Sequence, residues 1–194
     1  MSDMASEYRH RPITVEEYHR MGELGFFGPE ERIELLDGEL IAVPPMGDSH
    51  ASAIERLTWY FVTRLGERAA VRPQLPTRVS RISEPEPDFA IVERRADFHA
   101  SGHPRPAETF ALVECADSSL RYDRGKKLSA YARGGVREYW IVNLVEACIE
   151  IYDDRNDLGY GRSRNARAGE SVAFAAFADV AFGVSELLGI DVGS

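Results

Sequence analysis

Three ionisable residues occupy places in the sequence where a charge is unusual. Asp88 begins an apolar run, Glu114 lies inside another, and Lys127 follows that second run closely. A charged side chain in a buried strand is costly unless it is paired or binds a metal. Carboxylates are ligands for magnesium, a bound metal activates water, and a nearby ammonium stabilises the transition state. Together the three predict metal-dependent hydrolysis of a phosphodiester.

Each acidic residue taken alone has a simpler interpretation. Glu114 is also compatible with a strand-end carboxylate that is hydrated or paired with an arginine. The Pro87-Asp88 pair at a strand start is also typical of turn chemistry. The combination is more informative, because two strands each contribute one carboxylate and the following segment contributes a lysine.

Two adjacent lysines, Lys126 and Lys127, compete for the catalytic role. If Tyr122–Arg133 is a helix, Lys127 and Tyr131 lie on one stripe beside the apolar face. Successive helical residues are about 100° apart, so Lys126 points away from that stripe. We therefore predict Lys127 as the active lysine, whereas Lys126 is expected to be a solvated surface charge.

The first part of the chain carries the signals of a helix and a hairpin. A capping box that starts at Thr14 predicts a helix over Ile13–Leu24. The Asp37-Gly38 pair between two apolar runs predicts a hairpin within Arg32–Val43, because a type I′ turn needs positive φ at both central residues.

The rest of the chain alternates helical and strand-like patterns. Helical spacing predicts a helix over Asp48–Gly66, with Asp48 or Ser49 as its cap. Further elements are expected as strands at Val71–Ile82, Asp88–Val92, Thr109–Ala116, Arg137–Leu144, Ala147–Asp154 and within Gly159–Phe177, and as helices at Tyr122–Arg133 and Ser185–Gly189. Strands enclosed by helices predict an α/β or α+β fold with a mixed β-sheet flanked by helices. The length of 194 residues predicts a single domain over residues 13–194, after a flexible N-terminus of residues 1–12.

The composition limits the class of protein. A net charge of −9 argues against a protein that coats nucleic acid by bulk electrostatics, although a bound metal lets carboxylates face a phosphate. Cys115 and Cys148 lie in apolar runs, which predicts buried free thiols and a reducing cytoplasm rather than a disulfide framework or zinc site. The sequence contains no apolar run long enough for a membrane span and begins without a signal-peptide pattern.

Five stretches of the sequence match a known family in order. They are RIELLDGELIAV, the segment around His50, EPDFAIV, ALVECADSS and RGKKLSAYARGGVREYWIVN. By these stretches, which cover most of residues 13–153, the chain resembles the Uma-type family of restriction-endonuclease-like proteins, a branch of the PD-(D/E)xK nuclease superfamily. The last stretch is the most specific of the five.

The resemblance implies a restriction-endonuclease-like core, DNA as substrate and Mg²⁺ as the metal, for which Mn²⁺ can substitute. By motif position the metal ligands are Asp88 and Glu114, with Lys127 as the catalytic lysine. Glu34 matches an acid of the first motif and is a candidate to complete the metal site, the alternative being an edge-strand charge. His50 is a candidate for proton transfer, the alternative being a surface or packing residue.

One departure from the family and two other interpretations remain. The family's Ser-Pro-Ser is absent after the strand, where Asp117 adds a third carboxylate that either helps the metal or solvates a turn. A non-catalytic binding or accessory protein on the same fold is the main alternative. A homodimer through the apolar segment Ile141–Tyr152 is compatible with either function.

Overall fold

The computed structural model describes residues 10–156 and 159–190. The helices are α1 (Val15–Glu23), α2 (Asp48–Leu65), α3 (Leu120–Tyr122), α4 (Leu128–Gly134) and α5 (Val184–Leu188). The strands are β1 (Ile33–Leu36), β2 (Glu39–Ala42), β3 (Ala70–Pro73), β4 (Phe89–Val92), β5 (Thr109–Ala116), β6 (Tyr139–Asn143), β7 (Cys148–Asn156), β8 (Gly159–Arg167), β9 (Ser171–Val172) and β10 (Phe182–Gly183). The flexible N-terminus predicted for residues 1–12 falls mainly on residues 1–9, outside the described residues. The single-domain span of 13–194 stays a prediction.

A mixed sheet with the order β3-β4-β5-β6-β7-β8 forms the centre of the fold. Strands β5 and β6 are parallel, and the other neighbouring pairs are antiparallel. The strand predicted at Thr109–Ala116 is confirmed as β5, an interior strand. Phe89 pairs with Val113, so one step further the same register places Asp88 opposite Glu114.

The two faces of the sheet are covered by different helices. Phe61 of α2 packs in one apolar cluster with Val113, together with residues of α5. Tyr131 of α4 packs in a second cluster with Leu112, on the opposite face. Side chains alternate along a strand, so Glu114 points to the same face as Leu112, towards α4.

Local signals determine several element boundaries as predicted. The Thr14 side chain accepts a hydrogen bond from the Glu17 backbone N–H, so the capping box of α1 is confirmed. In the β1–β2 hairpin, Asp37 and Gly38 have φ values of 52° and 77°, as a type I′ turn requires. The cap predicted for α2 is wrong, because Gly47 occupies the N-cap without a side-chain hydrogen bond.

The strand predicted over Val71–Ile82 ends early, at Pro73. Proline has no backbone N–H to donate to a neighbouring strand, and Gln74 turns the chain at a φ of 51°. The remainder of the predicted strand is loop, in which Ser80 forms an isolated bridge with Ser83.

The helix predicted over Tyr122–Arg133 is present but not uniform. Residues Asp123–Lys127 form a π-helical turn between α3 and α4, in which the Leu128 N–H bonds the carbonyl oxygen of Asp123. The predicted end is confirmed, since Gly135 adopts the left-handed conformation that closes α4.

The apolar segment Ile141–Tyr152, which was considered as a dimer interface, lies inside the chain's own sheet. Val142 and Ile149 are fully buried in β6 and β7. Each of these strands is paired along both edges, so the core accounts for the apolar character of the segment. The two cysteines are confirmed as buried free thiols. Within the described residues, every helix is too short or too polar to cross a membrane.

Candidate active site

The five residues predicted for the site line one cavity. Its volume is about 350 Å³, and it is bounded by the β1–β2 hairpin, the start of α2, the ends of β4 and β5, and the π-helical turn. The predicted residues that line it are Glu34, His50, Asp88, Glu114 and Lys127. Five separate parts of the sequence therefore meet at this place.

Asp88 is held in place by contacts on both carboxylate oxygens. Its Oδ2 accepts a hydrogen bond of 2.8 Å from the Cys115 backbone N–H. Its Oδ1 lies 2.9 Å from Nε2 of His50 and 3.5 Å from Nε2 of Gln74. The hydrogen bond to Asp88 raises the pKa of His50, so the imidazole is held towards its protonated, donating form.

Glu114 is buried beneath the cavity. Its Oε1 accepts hydrogen bonds from Nζ of Lys127 at 2.9 Å and from the Tyr131 hydroxyl at 2.6 Å. Its Oε2 accepts a longer bond of 3.4 Å from the Asp88 backbone N–H. Burial raises the pKa of Glu114 to about 8, although the Lys127 ammonium opposes this rise. Ionised Glu114 is thus costly in this site without a further positive charge.

Lys127 bridges two carboxyl groups. Its Nζ lies 2.9 Å from Oε1 of Glu114 and 3.7 Å from Oε2 of Glu34. Burial opposes its charge, but the carboxyls of Glu114, Glu34 and Asp123 together raise the pKa of Lys127. The side chain therefore stays an ammonium. Lys126 is exposed and pairs with Glu39 at 2.6 Å, as the surface-charge interpretation predicts.

Glu34 reaches the cavity from β1, and one of its oxygens has the Lys127 ammonium 3.7 Å away but accepts no hydrogen bond among the described residues. The residue is 3% exposed, and this oxygen is Oε2. Burial raises the pKa of Glu34. A buried acceptor without a donor is destabilising, so this oxygen is available to a cation.

Two cavity residues were missed by the sequence analysis. Asp123 is buried and accepts a 2.6 Å hydrogen bond from Oγ of Ser119, and burial raises its pKa. Asp123 is the lone acid among the six basic residues of positions 121–137, and this isolation, four residues before Lys127, was the available signal. Tyr122 lines the cavity, and its buried hydroxyl has no partner among the described residues. Nothing in the sequence distinguished this tyrosine.

Asp117 lies at the rim of the cavity. Its Oδ1 accepts hydrogen bonds from the backbone N–H and the hydroxyl of Ser118. These bonds lower the pKa of Asp117, which indicates an ionised carboxylate engaged in a local turn. Of the two interpretations of this residue, the contacts therefore favour turn chemistry.

The cavity fits a divalent cation by its charge balance. The buried carboxyls of Asp88, Glu114, Glu34 and Asp123 line the cavity beside one lysine, Lys127. The other two lining carboxyls are engaged elsewhere, Glu86 with Arg32 and Asp117 with Ser118. Burial raises the pKa of three of the four buried carboxyls, and Oε2 of Glu34 accepts no hydrogen bond among the described residues. Oxygen donors of this kind suit magnesium.

A second group of potential metal ligands lies outside the cavity, but its carboxylate is already engaged by an arginine. Among the described residues, three potential ligand atoms lie within 4.8 Å of one another only at Glu146, Cys148 and Glu150. Both carboxylate oxygens of Glu150 already accept hydrogen bonds from Arg124. A cation there would have to displace a guanidinium, so the acidic cavity is the better candidate.

Both the sequence and the fold are similar to those of known proteins. A family model described as "Uma2: Putative restriction endonuclease" matches residues 15–185. A solved structure described as "Crystal structure of a putative nuclease belonging to DUF820 from Anabaena variabilis ATCC 29413" has a TM-score of 0.70 at 14% identity. That match covers 92% of this chain and 98% of the other. No curated protein matches the sequence. The structural likeness confirms the expected fold class.

Proposed function

The chain belongs to the Uma2 family of restriction-endonuclease-like proteins, and from this premise we propose that it is a metal-dependent nuclease that hydrolyses DNA. The proposed active site is centred on Asp88, Glu114 and Lys127. The observation that carries it is the contact of Lys127 Nζ with Glu114 Oε1 at 2.9 Å, on a carboxyl that also meets the backbone of Asp88. Two acids and an ammonium are thereby joined in one cavity.

Asp88 and Glu114 would hold the cation, with Glu34 as a third donor. When bound, Mg²⁺ or Mn²⁺ lowers the pKa of water and offsets the charge that develops on the phosphate. Glu34 suits this role because its Oε2 accepts no hydrogen bond in the described part of the protein and lies 3.7 Å from the Lys127 ammonium. When ionised, the four buried acids beside Lys127 carry more negative charge than one ammonium can balance, and a divalent ion would supply the remainder.

Lys127 supplies a fixed positive charge in a largely buried position. An ammonium prearranged where negative charge develops stabilises the transition state without reorganisation. Its hydrogen bond to Glu114 fixes its place, and its raised pKa keeps it protonated. In this proposal Lys127 orients the attacking water or stabilises the phosphate oxygens, and does not act as a base.

His50 acts beside Asp88. Its Nε2 lies 2.9 Å from Asp88 Oδ1, which suits a group that orients this carboxylate. The raised pKa of His50 also suits a proton-transfer group near neutral pH. Both roles place it in the active site. The homodimer and the cytoplasmic location stay predictions from the sequence.

A nuclease assay with four forms of the protein tests the assignment. Plasmid and linear DNA are incubated with Mg²⁺, Mn²⁺ or a chelator, using the wild type, Asp88→Asn, Lys127→Met and the control Lys126→Met. Lys126 is the matched control because it is adjacent in sequence but exposed. We expect cleavage by the wild type and the control, and rates at least about 100-fold lower for the other two.

Two results would contradict the proposal. Equal activity in all four forms would remove the site assignment. A wild type that binds DNA but neither cleaves it nor takes up magnesium in calorimetry would favour the non-catalytic binding protein instead.

A further inference from the structure

The helix that carries Lys127 has a local change of geometry at the site. Residues Asp123–Lys127 form a π-helical turn, and the Leu128 N–H bonds the Asp123 carbonyl five residues back. Turns of this type are rare and occur often at functional sites. This one supplies both Asp123 and Lys127 to the cavity. Contacts with the rest of the fold must therefore hold it in place.

Arg124 provides such a contact on the outer side of the turn. Its Nε lies 3.1 and 3.0 Å from the two carboxylate oxygens of Glu150. Its Nη2 donates to Glu150 Oε1 at 2.7 Å and to Glu146 Oε1 at 2.9 Å. A guanidinium that engages both oxygens of a carboxylate fixes orientation as well as distance.

Glu150 is itself held firmly by the sheet. It lies on β7 opposite Ile141, and Ile141 pairs with Glu114 on β5. Asn143 Nδ2 and the Tyr152 hydroxyl each donate to it at 2.7 Å. Hydrogen bonds from Arg124 and these neighbours keep the pKa of Glu150 below its usual value although burial acts against its charge.

The turn is thus attached to one row of the sheet at two points. Lys127 bonds Glu114 on β5, and Arg124 bonds Glu150 two strands away, a separation of about 10 Å at the usual strand spacing. Only two residues, Gly125 and Lys126, lie between the two attachments along the chain. Moving one end of the turn would tilt or shift the other.

We propose that Arg124 and Glu150 are positioning residues, whose ion pair fixes the π-helical turn against the sheet and thereby sets the place of the Lys127 ammonium. The inference rests on the proposed role of Lys127. Neither residue of the pair lines the acidic cavity. The pair therefore acts on the reaction only through the turn and the two residues that the turn supplies to the cavity, Asp123 and Lys127.

Kinetics of Arg124→Ala test the inference against a matched ion pair. Arg64 is the control, because it also engages both oxygens of a carboxylate, Glu186, at 2.8 Å. At saturating DNA we expect Arg124→Ala to cleave about 10- to 100-fold more slowly, the cost of a small misplacement. The DNA concentration at half-maximal rate should change less than about threefold, since substrate-binding groups are untouched.

Two further variants sharpen the comparison. Arg124→Lys should recover part of the rate, because one ammonium keeps the charge but not the two-oxygen geometry. Glu150→Gln should lower the rate in the same way as Arg124→Ala. Arg64→Ala removes an ion pair far from the turn and should keep the wild-type rate, although it should lose less stability than Arg124→Ala because Glu186 is more exposed than Glu150.

Hydrogen–deuterium exchange gives a readout that does not depend on activity. The amides of residues 123–128 should exchange faster in Arg124→Ala than in Arg64→Ala or the wild type. Unchanged exchange, or faster exchange with a wild-type rate of cleavage, would overturn the inference. A wild type without any cleavage would overturn the proposed function instead, and the exchange data would still decide whether Arg124 holds the turn.

Discussion

Replacing Glu114 by glutamine removes a negative charge from a position where that charge is costly. Burial raises the pKa of Glu114 from 4.5 to about 8. The folded protein therefore holds this proton more tightly than the unfolded chain. Between these two values, rising pH ionises the unfolded chain first, so the side chain reduces the stability of the metal-free protein as pH increases. Glutamine keeps an oxygen for Lys127 and Tyr131 but has no proton to lose.

The size of the effect follows from the distance between pH and the two pKa values. A pH of 7 is two and a half units above the ordinary glutamate pKa of 4.5, which applies to the unfolded chain. Each pH unit corresponds to about 1.4 kcal/mol, so the buried carboxyl lowers the free energy of unfolding by about 3 kcal/mol at pH 7. At pH 5 the same reasoning leaves less than about 1 kcal/mol. For a chain of this length, about 3 kcal/mol raises Tm by roughly 6–12 °C.

Thermal melting in a chelator measures this directly. Glu114→Gln should melt higher than the wild type at pH 7 and 8, and the difference should nearly vanish at pH 5. Added Mg²⁺ should raise the Tm of the wild type by preferential binding to the folded state, and should raise that of the variant much less. Cleavage should be lost in the variant.

The control is Glu186→Gln, the same chemical change at a half-exposed carboxyl on α5. It should not raise Tm, and it should keep the response to Mg²⁺. If Glu114→Gln melts at or below the wild type at pH 8, or if its advantage does not depend on pH, the reasoning about a costly buried carboxylate is wrong.

Three further predictions concern single residues. Lys127→Met should cleave at least about 100-fold more slowly. It should also lose more stability at pH 8 than at pH 6, because ionised Glu114 then lacks its counter-ion. A loss of Tm that does not depend on pH would contradict this. Tyr122→Phe should leave the free energy of unfolding unchanged or raise it by up to about 1 kcal/mol, since its buried hydroxyl has no hydrogen-bond partner among the described residues. A lower free energy of unfolding in urea titrations would contradict this. Gly38→Ala should destabilise the fold by about 2 kcal/mol or more, because φ at this residue is +77° and the added methyl would collide with Pro12. The control Gly47→Ala places its methyl in open space and should melt close to the wild type.

Much of the fold could be predicted because its signals are local. The capping box of α1 and the Asp37-Gly38 turn each depend on residues within a few positions. The nearly all-apolar run of β5 predicted an interior strand, and Gly135 marked the end of α4. Each signal acts through backbone conformation or burial of a single element, so distant residues did not alter it.

The length of β3 was not predicted, because the strand ends at Pro73 and not at Ile82. The sequence analysis expected one long strand over Val71–Ile82, but an extended strand also needs a partner along its length. Val71 pairs with Ile91 on β4, whereas beyond Pro73 the chain turns away at Gln74. The pattern of side chains carried no information on where the neighbouring strand stops.

The sequence by itself determined the chemical groups of the candidate site and the elements that carry most of them. Asp88, Glu114 and Lys127 follow from motif order and strand-helix succession, which are properties of consecutive residues. The tertiary structure alone decided how these groups meet. Glu34 arrives from a hairpin 80 positions before Glu114 in the chain, and it reaches the same lysine. The π-helical turn forms where Arg124 meets Glu150 on another strand. Hydrogen bonds and burial between distant segments exist only after the chain has folded, so no local pattern specifies them.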